Sequence, residues 1–158
     1  MTAEAREEHR WLQQIVGEWT FESEAACEPG QPPETFSGSE SVRSLGDLWL
    51  LCEGRGKIPG GGTAITLMTL GYDPGKARFV GSWVGSMMTW LWVYDGSLDP
   101  AGKVLTLETE GPSFSAGKLS KYRDVIELRS HDHRVLTSHV LGEDGTWRGF
   151  MTAHYRRR

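Results

Sequence analysis

The chain has 158 residues, and 17 lysines and arginines stand against 21 aspartates and glutamates, which gives a net charge of −4. This length fits one domain, residues 1–158, and the acidic balance gives no broad electrostatic reason to bind nucleic acid or an anionic membrane surface. Twenty glycines and seven tryptophans favour an all-β fold, with glycine-rich turns between aromatic-rich strands.

The first eight residues are polar and acidic, and they lack the apolar stretch of a secretory signal. No window approaches the roughly 18 consecutive apolar residues that a membrane-spanning helix needs. The two cysteines, Cys27 and Cys52, lack metal-binding spacing, and we expect reduced thiols rather than a disulfide. These features predict a cytoplasmic protein.

Residues 4–16 have the spacing of an amphipathic helix, because their apolar side chains share one stripe and the charged ones lie largely off it. The stripe consists of Trp11, Leu12, Ile15 and Val16. Thr2 suits an N-cap and Gly17 suits a stop. This is the one helix that the sequence predicts.

From Glu18 onward the hydrophobic pattern has a period of two, which indicates β-strands. The predicted strands are Glu18–Ala25, Thr35–Leu45, Leu48–Arg55, Ala64–Tyr72, Ala77–Val84, Trp90–Leu98, Lys103–Glu110, Lys121–Arg129, Arg134–Leu141 and Trp147–Tyr155. Glycine, proline and aspartate turns separate them, for example at residues 60–62, 73–75, 99–102, 131–133 and 143–145.

Short turns between successive strands are typical of an antiparallel up-and-down meander. About ten such strands would leave two long edges, and closing the sheet into a barrel removes both edges. A barrel of about this strand number can hold a cavity, and the N-terminal helix could plug one end. The predicted fold is therefore a closed β-barrel with a short N-terminal helix.

Two predicted strands are apolar on both faces, around residues 79–84 and 90–94. A barrel strand normally presents one face to water, so a second apolar face indicates that the outside is also covered. A homodimer seam is the simplest cover, and the packed N-terminal helix is the alternative.

Gly17-Glu18-Trp19 at the junction of helix and first strand resembles the GxW signature of the calycins, the group of lipocalins and fatty-acid-binding proteins. In those barrels the tryptophan closes the base of the cavity, and a basic residue late in the chain packs on its ring. The resemblance implies barrel closure by Trp19, with Arg156 in a cation–π contact.

Nearly the whole chain also resembles a bacterial family known as domain of unknown function 1579. The similar stretches are His9-Arg10-Trp11-Leu12, Gly17-Glu18-Trp19, Gly38-Ser39-Glu40, Leu70-Gly71-Tyr72-Asp73, Ser86-Met87, Lys121-Tyr122-Arg123-Asp124-Val125, His131-Asp132-His133 and Tyr155-Arg156. That family has no assigned activity, so the resemblance implies the fold and no reaction.

Complete catalytic motifs are missing from the sequence, which contains no GxSxG, no P-loop and no GxGxxG. Carboxylates such as Glu53, Asp124 and Glu127 fit exterior charges that pair across strands. An enzyme remains an alternative, and it would need His139 or His154 beside Asp124 or Glu53 inside the barrel.

His131 and His133 flank Asp132 in a predicted hairpin tip, where two ligands could clip a metal, although such tips are usually only solvated. We expect no metal and no cofactor. A related ten-stranded group, the nitrobindins, binds haem through a late-strand histidine, a role open to His139 or His154. In that group the glycine pattern continues beyond GxW. Haem is disfavoured here because Phe21 and Ser23 occupy the positions of those further glycines.

The most suggestive feature is a cluster of aromatic and methionine side chains on three consecutive strands and one loop. It consists of Met68, Trp83, Met87, Met88, Trp90, Trp92 and Tyr94. Such side chains adapt to irregular apolar shapes, and they predict a pocket for a small apolar ligand. The alternative is plain core packing in a structural or dimerisation protein that has no ligand. Arg123 could clamp an acid group of that ligand, and His139 could face the same cavity.

Overall fold

A computed structural model describes residues 2–26, 31–58, 60–115 and 117–158. Within these residues the chain forms one helix, α1 (Glu7–Gln13), and ten strands. The strands are β1 (Gly17–Ala25), β2 (Glu34–Leu45), β3 (Trp49–Lys57), β4 (Thr63–Asp73), β5 (Arg78–Gly85), β6 (Trp92–Leu98), β7 (Val104–Pro112), β8 (Leu119–Ser130), β9 (His133–Leu141) and β10 (Trp147–Arg157).

Each strand pairs antiparallel with the next along the chain, and β1 pairs with β10, so the sheet closes on itself. The first and last strands meet in register from Trp19 opposite Arg157 to Ala25 opposite Met151. The predicted closed up-and-down barrel is therefore confirmed, and the predicted strand limits lie within a few residues of the observed ones.

Side chains alternate between the interior and the outer face along the strands, as the pleat requires, with interruptions at the irregularities in β8 (128–130) and β10 (149–151). On β8, Tyr122 and Ile126 are buried, so the residues between them at odd positions point outward. On β9, Arg134 and Ser138 are buried. The core runs from Leu12 of α1 through both halves of the barrel.

The helix closes the end of the barrel where β1 begins, which we call the helix end. Leu12 and Ile15 are buried there, 0% and 2% exposed. The Trp11 indole donates to the Gly102 carbonyl at 2.6 Å, and the Trp19 indole donates to the Ile15 carbonyl at 2.9 Å. The predicted plug is present in the structure.

The helix is shorter than predicted, and its N-cap is Arg6 rather than Thr2. The backbone N–H of Arg6 donates to Nδ1 of His9 at 2.9 Å, while Nε2 of His9 donates to the Tyr72 carbonyl at 3.0 Å. This anchored histidine fixes where the helix begins. Gly17 already belongs to β1, and its φ of 143° lies in a region that glycine adopts readily and other residues rarely adopt.

The opposite end of the barrel, the far end, is closed by rings instead of a helix. Trp92 packs edge-on to Tyr122 with ring centroids 5.0 Å apart, and Phe114 packs on Phe150 at 5.1 Å. A Cβ at Gly111 would lie 2.1 Å from a ring atom of Trp92, so that glycine makes the room which the indole fills.

The outer face of β4, β5 and β6 carries exposed apolar side chains, with Leu67 opposite Val84 across β4 and β5. Val93 is 61% exposed. The alternative that α1 covers this face is wrong, because these side chains are exposed and the helix directs Leu12 into the core. None of the described helices has the length and apolar character to cross a membrane.

Candidate functional site

A cavity of about 40 Å³ lies inside the barrel. Its walls are formed by Ile15, Glu40, Cys52, Thr66, Met68, Leu70, Trp83, Ile126, Arg134, Leu136 and Tyr155. This volume suits a single water molecule, whereas pockets for drug-sized ligands measure roughly 300–1,000 Å³. The barrel in this form is thus closely packed around a small polar gap.

Arg134 is the central polar residue of this cavity and is only 4% exposed. It forms an ion pair with Glu40 of β2, which spans the interior because β1 and β10 separate the two strands. Its guanidinium stacks on the rings of Tyr155, 4.0 Å from the centroid, and Trp19, 4.7 Å from the centroid. Stacking occupies the faces of the planar group and leaves its N–H bonds for acceptors.

Within the described residues, the guanidinium makes one hydrogen bond, to Glu40, so several of its N–H bonds are unused. Within the described part of the chain, the buried Nε of Arg134 has no hydrogen-bond partner. A buried donor without an acceptor costs free energy comparable to a lost hydrogen bond. The arginine therefore offers a vacant donor at the wall of the cavity.

Two other groups of the cavity wall are held neutral. Burial raises the pKa of the Cys52 thiol, and the Glu40 carboxylate raises it further, while Arg134 lowers it. Burial also raises the pKa of the Tyr155 hydroxyl, again with a contribution from Glu40. Because the thiolate is the reactive form of cysteine, Cys52 is not an activated nucleophile here.

A second buried polar group lies on β8. The hydroxyl of Tyr94 donates to one oxygen of Asp124 at 2.5 Å, and the hydroxyl of Ser138 donates to the other at 2.6 Å. Burial raises the pKa of Asp124 although both hydrogen bonds lower it. Asp124 thus belongs to the interior, and the expectation that it is an exterior charge is wrong.

The predicted ligand-binding residues separate into three groups. Met68 and Trp83 line the cavity. Tyr94 is buried but directed to Asp124, and Trp92 lies among the rings of the far end.

The second group lies on the segment between β5 and β6. Met87, Met88 and Trp90 are 49%, 43% and 37% exposed, so they rim the far end and do not line the cavity. The Trp90 indole donates to the Glu110 carbonyl at 3.1 Å, which holds this segment against β7. The prediction that these three residues form the cavity wall is wrong in this form of the protein.

The third group lies on the outer face. Nε of Arg123 contacts Glu108 at 3.2 Å, and its guanidinium stacks on Trp147 with 4.1 Å to the ring centroid. His139 hydrogen-bonds Thr137 at 3.2 Å. Strand alternation directs the buried neighbours Tyr122 and Ser138 inward, so Arg123 and His139 lie outside, and the inward one of the two directions open to Arg123 is wrong.

Trp19 is buried as predicted, but its cationic partners, Arg134 and a residue near the end of β10, differ from the predicted Arg156. Arg157, not Arg156, stacks on it with 4.2 Å to the ring centroid. Arg157 also donates to the carbonyl oxygens of Val16 at 2.7 Å and Gln14 at 2.9 Å. Because Ala153 and Tyr155 are buried on β10, Arg157 shares their parity and Arg156 is exposed.

The histidine pairs predicted for an enzyme or for haem do not form. His154 lies on the outer face, where His133 and His154 approach to 3.0 Å between ring nitrogens. Glu53 also faces outward and pairs with Arg55 at 3.5 Å. These groups therefore do not converge with Asp124 inside the barrel.

The structure describes the histidines of the predicted hairpin tip and one of the two cysteines. Among the described residues no three histidine, cysteine or acidic side chains are grouped to hold a metal ion. The His131 side chain is 79% exposed. Cys52 is a free buried thiol, and Cys27 lies outside the described residues.

The central residues of the cavity, Arg134 and Glu40, were not predicted as site residues. Glu40, Phe36 and Val42 all occupy even-numbered positions of β2 and therefore point to the same face of the sheet. The two apolar residues on this face indicate that Glu40 points inward. Arg134 alternates with Val135 in a strand where both parities contain apolar residues, so its direction cannot be read from the pattern.

A family model described as protein of unknown function (DUF1579) matches residues 4–157. The crystal structure of Rv2717c from M. tuberculosis is similar, with a TM-score of 0.63 and 12% identity, and the match covers 98% of this chain and 99% of that chain. The structure of EF1p2_mFAP2b bound to DFHBI matches with a TM-score of 0.52 and 14% identity, covering 96% of this chain and 99% of that one. A search of curated proteins found no match.

Proposed function

The chain belongs to the DUF1579 family of proteins of unknown function, and we propose that its barrel binds a small, largely apolar molecule that enters from the far end. The observation that carries this proposal is the position of Trp83. This side chain lines the internal cavity and is also partly exposed. It is therefore the partition between the cavity and solvent.

Entry from the helix end is blocked by α1. Ile15, which follows the helix, is itself a cavity wall. The Trp11 indole donates to the Gly102 carbonyl, and the Trp19 indole of β1 donates to the Ile15 carbonyl, so both ends of this segment are tied to the barrel. Opening there would break buried contacts and several hydrogen bonds together. The helix end thus acts as the closed base of the barrel.

At the far end Trp83 packs beside a flexible side chain. A Cβ at Gly85 would lie 2.5 Å from the sulfur of Met87 and 2.7 Å from the Trp83 ring, so both groups cover the same glycine. Methionine has three rotatable bonds and a soft thioether. Movement of Met87 and Trp83 toward the exposed rim would join the cavity to the space that the indole now fills.

The cavity must enlarge to bind a ligand, since about 40 Å³ is below the size of known pockets. Residues 86–91 are all exposed, and such surface segments open at lower free energy than core strands. EF1p2_mFAP2b, a barrel of similar fold, is bound to DFHBI, which supports the idea that this architecture can accommodate a small molecule.

The test uses 4-fluoroacetophenone as a probe, with binding followed by ¹⁹F NMR titration. Thr66→Phe fills the cavity from β4, and Thr69→Phe is the matched control, because Thr69 lies on the outer face of the same strand and bonds Ser82. We expect the wild type and Thr69→Phe to bind the probe and Thr66→Phe to bind at least ~10-fold more weakly, about 1.4 kcal/mol. Equal binding by Thr66→Phe, or no binding by the wild type, contradicts the proposal.

A homodimer is a second candidate, favoured by the apolar outer face of β4 to β6. Ile65, Leu67, Val84 and Val93 are each at least 37% exposed there. Exposed apolar patches of this kind mark interaction surfaces. Sedimentation velocity of the wild type and of Val93→Lys tests it: the wild type should associate with rising concentration, and the variant should remain monomeric.

A cytoplasmic location also remains a prediction.

A further inference from the structure

We propose that a vacant N–H of Arg134 anchors the ligand, and that the ligand carries a neutral hydrogen-bond acceptor, such as a ketone or amide oxygen, instead of a carboxylate. This inference rests on the proposed function and names the class of molecule that the cavity selects. It also identifies Arg134 as the specificity-determining residue.

The geometry of Arg134 leaves N–H donors for a ligand, because within the described residues its guanidinium makes a single hydrogen bond. Its guanidinium faces are covered by Trp19 and Tyr155, and its NH2 group donates to Glu40. Nε is buried and has no partner within the described residues. An acceptor in the cavity that lies in the plane of the guanidinium would pair with one of these free N–H groups while the ion pair with Glu40 stays in place.

The charge of the cavity argues for a neutral acceptor. Among the residues that form its wall, Arg134 is the cation and Glu40 is the carboxylate that already neutralises it. A ligand carboxylate would be a second buried anion beside Glu40, without a second cation among those residues. Burying an unpaired charge is far more costly than burying a neutral carbonyl that accepts a hydrogen bond.

The remaining walls describe the body of the ligand. Met68, Leu70, Ile126 and Leu136 present apolar surface, and Trp83 adds an aromatic ring. An apolar or aromatic group therefore fits beside the polar anchor. A water molecule is the competing occupant, and a ligand oxygen can replace it with little loss only if it reproduces the hydrogen bond to Nε.

The experiment compares three probes of nearly equal shape, 4-fluoroacetophenone, 4-fluoroethylbenzene and 4-fluorobenzoate, by ¹⁹F NMR titration of the wild type. We expect the ketone to bind at least ~10-fold more tightly than either of the others, the hydrocarbon because it lacks an acceptor and the benzoate because it adds a charge. Equal affinity for ketone and hydrocarbon, or tighter binding of benzoate, overturns the inference.

A variant without the donor provides the second measurement. Arg134→Met alone would leave Glu40 buried without its partner, so the change is made together with Glu40→Gln, which keeps the interior neutral. We expect this double variant to bind ketone and hydrocarbon with equal affinity, and a retained preference for the ketone would refute the role of Arg134. If the double variant does not fold, the three-probe comparison on the wild type still decides.

The two proposals fail in different ways. If no probe binds, or if Thr66→Phe leaves ketone binding unchanged, the interior is not a binding site and the proposed function fails. If the probes bind in the interior but show no preference for the ketone, only the anchor at Arg134 fails.

Discussion

The two ends of the barrel are closed by different kinds of contact. At the helix end, side chains with fixed donors reach backbone carbonyls far along the chain, as Trp11 does with Gly102 and Arg157 with Val16. At the far end, rings pack on rings, and Phe114 and Met87 remain 44% and 49% exposed. Fully buried contacts resist opening, whereas partly exposed rings separate more easily, so we expect the helix end to be the more stable of the two.

The largest expected difference between the ends comes from truncating one apolar side chain at each. Leu12→Ala at the helix end removes a side chain that is 0% exposed, and we expect a loss of about 2–5 kcal/mol in the free energy of unfolding. Met88→Ala at the far end should change it by no more than about 0.5 kcal/mol. Urea unfolding of both variants checks this, and similar losses would remove the distinction between the ends.

The next effect concerns the two adjacent arginines of β10. Arg157→Met removes the hydrogen bonds to Val16 and Gln14 and the stacking on Trp19, and it should cost about 1.5–3 kcal/mol. Arg156→Met, on the exposed side of the same strand, should cost no more than about 0.5 kcal/mol. Thermal and urea unfolding provide the measurement, and a larger loss for Arg156→Met would restore the prediction made from the sequence.

A smaller effect probes the ring packing of the far end. Gly111→Ala would place a Cβ 2.1 Å from the Trp92 ring, so the indole must move, at a cost of about 1–3 kcal/mol. Gly149→Ala is the control, because its Cβ would make ordinary contact with His139 at 3.5 Å. The control should unfold like the wild type, and an unperturbed Gly111→Ala would show that Trp92 is not fixed by that glycine.

The smallest effect is a pH dependence at the helix end. Burial, with Arg156 and His154 next, lowers the pKa of His133 in the folded protein below its usual value of about 6.5. The unfolded chain therefore binds the proton more readily, so this contribution to stability is present above about pH 6.5 and is lost as the pH falls.

The measurement is urea unfolding of the wild type and His133→Gln between about pH 5 and 8. The wild type should lose stability relative to the variant as the medium becomes more acidic. A difference that stays constant across this range, or that grows in the opposite direction, would contradict the assignment to His133.

The barrel itself could be predicted from the sequence because period-two patterning and turn residues are local signals. The interior could be predicted only in part. On β1, Trp19 and Phe21 share one parity and leave no doubt about which face is apolar. On β9, both parities mix apolar and polar residues, so Arg134 and His139 are indistinguishable until the neighbouring strands fix the phase.

The same limit explains the error at the end of β10. Three consecutive arginines, residues 156–158, differ in nothing that the sequence displays, and only the pairing of β10 with β1 decides that Arg157 stacks on Trp19. The predicted Met87, Met88 and Trp90 fail for another reason, because their composition indicates apolar contact but does not indicate whether the contact lies inside the barrel or on its rim.

The pairing of β1 with β10 also bears on how the chain is made. Trp19 and its register partner Arg157 are separated by nearly the entire sequence, so during synthesis the edge of β1 waits unpaired until the tenth strand leaves the ribosome. At about 5–20 residues per second, that delay lasts on the order of ten seconds. The nascent chain is then an open ribbon that other chains can pair with, and its yield should depend on protection by chaperones during this interval.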